Sequence, residues 1–126
     1  MKQLDKEILF FKQQMKYAIT ELEVLKKCNK CPFIIPLYYA FQTYQYLYLA
    51  LKYTPYGTLG EYLEKKRKLS YEESFQILCE LVIAIEFLHE NQILYRDLKP
   101  DNILFDSNGH IMLIDFGLSI QLKDKE

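Results

Sequence analysis

A polar segment enclosed by apolar runs is the feature that most constrains how this chain can fold. Residues 95–102 read Tyr-Arg-Asp-Leu-Lys-Pro-Asp-Asn, and they lie between Ile93-Leu94 and Ile103-Leu104-Phe105. Pro100 lacks an amide hydrogen and clashes with a preceding helical turn, so the segment cannot be a regular helix. We therefore predict a loop anchored in a core at both ends, and such loops often carry functional groups. Taken alone, the segment would be interpreted as a solvated turn, because Asp and Asn suit turn geometry.

The sequence after this loop predicts a β-hairpin. Two β-prone runs, residues 102–106 and 110–114, flank Asn108-Gly109. Asn-Gly between such runs is a strong hairpin signal. The return strand leads directly to Asp115, so the hairpin brings the chain back towards the loop.

Four polar side chains are therefore expected to lie close together. Asp97, Lys99 and Asn102 stand at relative positions 0, +2 and +5 of the loop. Asn102 and Asp115 come from opposite arms of the hairpin and can face a common point. A carboxylate and a carboxamide beside a lysine suit Mg²⁺ and phosphate, because this cation takes a few oxygen ligands together with waters and substrate phosphates. The spacing predicts phosphoryl-transfer chemistry.

Length and charge exclude several classes of protein. A chain of 126 residues forms at most one domain. With 16 basic and 17 acidic residues, the net charge of −1 gives no electrostatic reason to expect binding to nucleic acid or to a membrane. No apolar run is long enough to span a bilayer, and the charged residues 1–7 do not resemble a secretory signal. We expect an intracellular, cytoplasmic protein, with the nucleus as an alternative, and the sequence leaves the oligomeric state open.

The cysteines do not indicate a disulfide framework. There are three of them, and an odd number argues against such a framework. Cys28 and Cys31 have CxxC spacing, but a zinc site needs a second pair of ligands, and His89 and His110 are isolated. We favour a coincidence at a helix end over a metal or redox site, and we expect Cys79 to lie in the core.

Hydrophobic periodicity predicts a mixed α+β fold. Apolar residues at helical spacing indicate a helix from about Asp5 to Lys27, with Glu21 beside its buried face. Residues 33–41 and 46–53 read as an antiparallel strand pair, followed by a connector over residues 54–57. A short helix is expected from Leu59 to Lys66.

A longer helix is predicted to begin after Ser70. Ser70 and Glu73 have the spacing of a capping box, and the helix continues to about His89. Its apolar residues surround much of the circumference, so we expect it to be buried. These residues are Phe75, Leu78, Cys79, Val82, Ile85, Phe87 and Leu88. The charged tail, residues 123–126, is expected to be frayed.

Residues 95–102, followed by Asp115-Phe116-Gly117, resemble the catalytic loop and the DFG motif of eukaryotic protein kinases. Tyr95 stands where the family more often has His, which is similar to the AGC group that includes cAMP-dependent protein kinase. Lys99 resembles the lysine of serine/threonine-specific members. The resemblance implies a partial protein-kinase-like fold, with residues 1–53 in the small lobe, 54–57 in the hinge and 58–126 in the large lobe.

The same resemblance implies a role for each polar residue of the loop. Asp97 would orient the substrate hydroxyl or accept its proton, and Lys99 would contact the transferred phosphoryl group. Asn102 and Asp115 would hold magnesium. The implied cofactors are ATP and Mg²⁺, and the implied partner is a protein substrate.

The resemblance also implies a nucleotide site. Glu21 would pair with the nucleotide-binding lysine, for which Lys2 is the candidate. The positions implied around the base are Leu51 as gatekeeper, main-chain groups near Lys52 and Thr54, and Leu104. Thr58 falls where many relatives place an acidic ribose contact, so that contact is in doubt. Four residues match a stacked hydrophobic spine: Leu25, Leu37, Tyr95 and Phe116.

The sequence departs from the family at both ends. No glycine-rich segment precedes Lys2, so we expect the strands over the phosphates and the strand supporting Lys2 to be absent. Nine residues follow Gly117, without an APE motif. We expect a gene fragment, a truncated gene model or an isoform with little kinase activity alone and with apolar surface exposed on its long helix.

Two other functions remain open. The chain could be a non-catalytic, truncated kinase fold that binds or regulates a partner. A small-molecule phosphotransferase is less favoured, because Lys99-Pro100 and the complete Asp115-Phe116-Gly117 motif indicate the protein-kinase branch.

Overall fold

The computed structural model of the protein describes residues 1–122, so the tail predicted to be frayed lies outside the described residues. The helices and strands, in chain order, are β1 (Lys2–Asp5), α1 (Lys6–Phe11), α2 (Met15–Cys28), β2 (Leu37–Gln42), β3 (Tyr46–Leu51), α3 (Leu59–Lys66), α4 (Tyr71–Glu90), β4 (Ile93–Leu94), a 3₁₀ turn (Pro100–Asn102), β5 (Ile103–Phe105), β6 (Ile111–Leu113) and β7 (Ile120–Gln121). They form an antiparallel sheet of order β1-β3-β2 and two antiparallel pairs, β4-β7 and β5-β6.

The N-terminal region differs from the prediction in two ways. Lys2 lies on β1, opposite Leu49 of β3, so the expectation that the strand supporting Lys2 is absent was wrong. The single helix predicted from Asp5 is instead two helices, separated at the polar residues 12–14, where Gln13 has a φ of 53°. Asp5 ends the strand and caps α1, because its carboxylate accepts from the amides of residues 7 and 8.

The predicted strand pair is confirmed, but its first strand begins later than expected. Residues 33–36 precede β2 and run beside β6 instead. Ile35 donates its amide to the carbonyl of Leu113 at 3.0 Å. Pro36, which has no amide hydrogen, marks the point where the chain leaves this contact and enters β2.

Helix α4 has the predicted start, but it is buried on one side only, and the apolar surface that we expected to be exposed on it lies on the other side. Ser70 accepts from the amide of Glu73, and the Glu73 carboxylate accepts from the amide of Ser70, which completes the capping box. One side of the helix contacts β4 and β6. The other side is exposed, including Leu78 at 61% and Val82 at 63%, and Cys79 is exposed too, so its assignment to the core was wrong. An apolar pattern shows which faces could be covered, and the rest of residues 1–122 covers only one of them.

A continuous hydrophobic core joins the elements on either side of residues 54–57. It includes Leu25 of α2, Leu49 of β3, Leu88 of α4 and Leu113 of β6, each at most 1% exposed. Burying one such side chain stabilises a fold by about 1.5–3 kcal/mol. Within residues 1–122, no helix combines the length and the apolar character needed to cross a membrane.

Candidate active site

The loop after β4 brings together the three polar residues that the sequence singled out. Asn102 is buried, at 5% exposure, and lies at the end of the 3₁₀ turn that begins with Pro100. Its Nδ2 donates to the main-chain oxygen and to Oδ2 of Asp97, both at 2.9 Å. Lys99 Nζ lies 3.4 Å from Asp97 Oδ1. The carboxylate, the ammonium and the carboxamide therefore form one cluster.

The β5-β6 hairpin places Asp115 beside this cluster. The amide of Ile114 donates to the carbonyl of Asn102 at 3.0 Å, so the two arms meet where the loop ends. Asp115 follows with a φ of 59°, and its Oδ1 accepts from the amide of Gly117 at 3.2 Å. A side chain at such a φ is uncommon and points to a site with special geometry. Asp115 is exposed, so its carboxylate is accessible.

A second pair of charged residues comes from the other part of the fold. Lys2 Nζ of β1 donates to both carboxylate oxygens of Glu21 on α2, at 2.8 and 2.7 Å. The Glu21 side chain is 5% exposed and that of Lys2 is 35% exposed. The buried carboxylate therefore holds the ammonium at the border of the solvent-accessible space.

One cavity of about 360 Å³ connects these groups with the segment after β3. It is lined by Met1, Lys2, Glu21, Ile35, Leu51, Lys52, Tyr53, Thr54, Leu104, Ile114 and Asp115. All six residues implied for the nucleotide line it, whereas Asp97, Lys99 and Asn102 lie beyond its lining. Ile35 and Ile114 were not anticipated, although the position of Ile114 immediately before Asp115 could have indicated it.

Volume alone does not identify this cavity as the site. A cavity of about 390 Å³ lies between α3, α4 and the β5-β6 turn, lined by Tyr56, Tyr62 and Phe105 among others. It lies away from Lys2 and Asp115. We assign the site by its converging charged groups rather than by size.

Several polar groups of the segment over residues 52–58 already have partners within the protein. The Lys52 amide donates to the carbonyl of Pro36 at 3.0 Å, and the Thr54 hydroxyl donates to the carbonyl of Phe105. Thr58 is the N-cap of α3, where its hydroxyl accepts from the amide of Glu61. The Thr58 side chain is thus engaged in a helix cap.

An apolar column lies behind the polar cluster. Leu25, Leu37, Tyr95 and Phe116 are all buried, and the Tyr95 and Phe116 rings meet edge to face with centroids 5.2 Å apart. The Tyr95 hydroxyl donates to the carbonyl of Ile114. Burial, assisted by the charges of Asp115 and Asp97, raises the pKa of the Tyr95 phenol above its ordinary value. The phenol therefore remains a neutral donor under physiological conditions.

The CxxC pair has the properties of core thiols. Cys28 ends α2, and the amide of Cys31 donates to its carbonyl at 3.0 Å. Both thiols are free and buried. Burial raises the pKa of Cys28 to about 12, which keeps that thiol protonated and unreactive.

Metal binding at this site would need oxygens from outside the protein. Among residues 1–122, no group of three His, Cys, Asp or Glu side chains could hold a metal ion. The protein itself offers two oxygen groups for a metal at this site, the exposed carboxylate of Asp115 and the carboxamide oxygen of Asn102. This is the donor set from which Mg²⁺ is bound together with substrate phosphates.

Comparison with known proteins shows the family to which this chain belongs. The family model described as protein kinase domain matches residues 1–126. The chain is 43% identical over 128 residues to the serine/threonine-protein kinase SCH9 of Saccharomyces cerevisiae, an alignment that covers 99% of this chain and 16% of that protein. It is 38% identical over 119 residues to protein kinase C-like 1 of Caenorhabditis elegans, covering 94% of this chain and 17% of the relative.

A third relative is the serine/threonine-protein kinase CBK1 of Pneumocystis carinii, which is 42% identical over 120 residues, with 95% of this chain and 24% of the relative covered. The chain spans 16%, 17% and 24% of the lengths of these three proteins. They are kinases of the AGC type. Together with the family match over its whole length, they show that the chain belongs to the protein kinase domain family.

Proposed function

We propose that this chain supplies the nucleotide-binding and phosphoryl-transfer groups of a serine/threonine protein kinase, which transfers the terminal phosphoryl group of ATP to a protein hydroxyl. The observation that carries the proposal is the single cavity lined by Lys2, Glu21, Asp115 and residues 51–54. ATP binding needs cations for the phosphates, a carboxylate that anchors them and main-chain groups for the base, and this cavity has all three.

Asp97 is the residue placed to handle the acceptor hydroxyl. Its side chain is 20% exposed, and Asn102 Nδ2 holds Oδ2. Oδ1 faces Lys99, whose Nζ can approach the transferred phosphoryl group at the same point. A carboxylate fixed in this way orients the hydroxyl and accepts its proton as the new bond forms.

Asn102 and Asp115 have a chemistry that fits Mg²⁺. Because Asn102 uses its Nδ2 for Asp97, its carboxamide oxygen has a fixed direction. Together with the exposed Asp115 carboxylate it offers two hard oxygens. Bound Mg²⁺ would supply charge neutralisation for the phosphates.

The nucleotide base would be recognised mainly by the main chain. The Lys52 amide is engaged with Pro36, and we assign recognition of the base to the Lys52 carbonyl and the Thr54 amide. Leu51 and Leu104 both line the cavity and would supply apolar contacts to the base. A flat aromatic base with one donor and one acceptor on one edge fits such a slot.

A titration of Mg-ATP into the folded 126-residue chain, followed by its heat, tests the proposal. We expect saturable binding that is weakened about tenfold in Lys2→Met, because a charge-assisted contact with phosphate is lost. Lys12→Met, on the exposed turn between α1 and α2, is the matched control and should bind like the wild type. The absence of heat from the wild type at millimolar ligand would contradict the proposal.

The exposed face of α4 favours a second candidate, a non-catalytic fold that binds a partner. Leu78 and Val82 present apolar surface of the kind found at protein contacts. The two functions differ in one result. If the full-length protein that contains residues 1–126 binds Mg-ATP but transfers no phosphate to a protein acceptor, that result supports the second candidate, whereas transfer supports the first.

A further inference from the structure

A buried carboxylate outside the cavity has no role in the site described so far. The buried charged or amide side chains of residues 1–122 are Glu21, Glu80 and Asn102. Glu21 and Asn102 belong to the site, whereas Glu80 lies in the middle of α4. Burying a carboxylate costs free energy unless hydrogen bonds replace its water. The contacts of Glu80 therefore indicate what it does.

Both oxygens of Glu80 are used by the β5-β6 hairpin. Oε2 accepts from the amide of Ile111 at 2.8 Å, and Oε1 lies 2.6 Å from His110 Nδ1. Gln76, one helical turn earlier, donates from Nε2 to Glu80 Oε1 at 3.2 Å and to the carbonyl of Gly109 at 3.3 Å. Residues 109–111 are thus held against α4, and we call these contacts the Glu80 clamp.

The clamp acts on the strand that leads to Asp115. β6 is fixed on its outer edge at Leu113, whose amide donates to the carbonyl of Phe33 at 2.9 Å. On its inner edge it pairs with β5, and the amide of Ile114 reaches Asn102. Ile111 is the first residue of β6 and depends on Glu80 for the partner of its amide. Loss of that partner would release the start of the strand and leave a buried amide without a bond.

We propose that Glu80 is a positioning residue for the phosphoryl-transfer site, which holds β6 through Ile111 and His110 and thereby places Asp115 relative to Asn102. The inference rests on the proposed function, because it assigns Asp115 and Asn102 to the same Mg²⁺. Ligands of this cation need nearly ideal octahedral placement, so a small displacement of one oxygen weakens binding.

Charges around the clamp agree with this role. The groups facing His110 are Glu80 from α4 and Asp106 from the hairpin, with the ring of Phe33 at a centroid distance of 6.2 Å. Asp106 Oδ1 accepts from the amides of Asn108 and His110 and so orders the turn. Two carboxylates on one imidazole favour its charged, doubly donating form.

The first test is amide hydrogen exchange of the chain without nucleotide or metal. Glu80→Gln keeps the volume but has no charge and an NH2 group in place of one oxygen, so it cannot accept from Ile111 on one side and from Gln76 and a protonated His110 on the other. We expect the amides of residues 111, 113 and 114 to exchange about tenfold faster, as loss of a charged hydrogen bond implies. The amides of β2 and β3 should be unchanged. Glu86→Gln, exposed on the same helix, is the matched control and should behave like the wild type.

A second variant keeps the test decisive if Glu80→Gln fails to fold. His110→Gln removes one arm of the clamp at a half-exposed position and leaves the Ile111 bond intact. It should increase exchange at residue 111 by a smaller factor. Unchanged exchange at residues 111–114 in a folded variant, or an equal increase throughout the chain, would overturn the proposal.

The second test separates positioning from general stability. The concentration of Mg²⁺ needed for half-maximal binding of a fluorescent ATP analogue should rise several-fold in Glu80→Gln, while adenosine binding without metal stays the same. Equal weakening of both would overturn the positioning role. If the wild type binds no nucleotide, the proposed function fails, and the exchange experiment still decides whether Glu80 places Asp115.

Discussion

Asn102 performs two tasks at the scale of single residues. Its Nδ2 orients Asp97, and its main-chain carbonyl accepts from Ile114. Such local relations could be anticipated, because Pro100 and short spacing determine where the loop side chains can lie. The link from Glu80 to His110 could not be anticipated, since it joins residues 30 positions apart. His110 looked isolated in the sequence because only tertiary packing brings its partner.

The contacts of His110 predict a pH dependence of stability. The hydrogen bond to Glu80, followed by the charges of Glu80 and Asp106, raises the pKa of His110 above its ordinary value of 6.5. The stabilisation is therefore fully present below that ordinary value and is lost as the pH rises through the higher pKa of the folded state. In urea unfolding, the wild type should exceed His110→Gln most in stability at about pH 5.5, and less at about pH 8. A difference that grows with pH would contradict this prediction.

Individual elements follow local signals where those signals suffice. The capping box at Ser70 begins α4 as the sequence indicated, and the Asn-Gly turn joins β5 to β6. The capping box at Thr58, which begins α3, was not predicted. The strand β1 escaped prediction because four residues carry little periodicity and their pairing depends on β3, more than forty positions away. Residues 12–14 interrupt the first predicted helix because they have no apolar side chain to bury.

The hairpin turn offers a test at this scale. Gly109 has a φ of 80°, and a Cβ built there meets nothing within 4 Å. Gly109→Ala should therefore destabilise the fold through its backbone alone, by about 1–2 kcal/mol. Gly109→Asn should cost less, because Asn adopts this conformation more readily. The free energy of unfolding of each variant in urea tests this prediction. An equal decrease for Gly109→Ala and Gly109→Asn would contradict the backbone explanation.

At the scale of the whole molecule, the fold class could be predicted from the sequence, but the division between buried and exposed apolar surface could not. The α+β class followed from hydrophobic periodicity, and the kinase-like fold followed from motifs with fixed spacing. The side of α4 that is buried could not be predicted from its apolar pattern, because an apolar residue enters the core only where another element covers it. Leu78 and Val82 face away from β4 and β6, so they remain accessible among the described residues.

If the chain self-associates, the exposed apolar side of α4 around Leu78 and Val82 should mediate the contact. Val82→Gln, at a position 63% exposed, should lower the apparent mass in light scattering while changing the unfolding free energy by at most about 0.5 kcal/mol. Ile77→Gln, on the covered face at 7% exposure, is the matched control and should destabilise the chain instead. Equal destabilisation by both substitutions would contradict the assignment of the two faces.

The hydrogen bond from the amide of Ile114 to the carbonyl of Asn102 has a consequence for how this site can change. It joins main chain to main chain, so most side-chain substitutions at either position leave it in place. Replacing the Asn102 side chain would remove its carboxamide without separating the arms of the hairpin. The main-chain geometry here is thus independent of the side chain at position 102, so a substitution there would change the chemical groups of the site and leave the two arms paired.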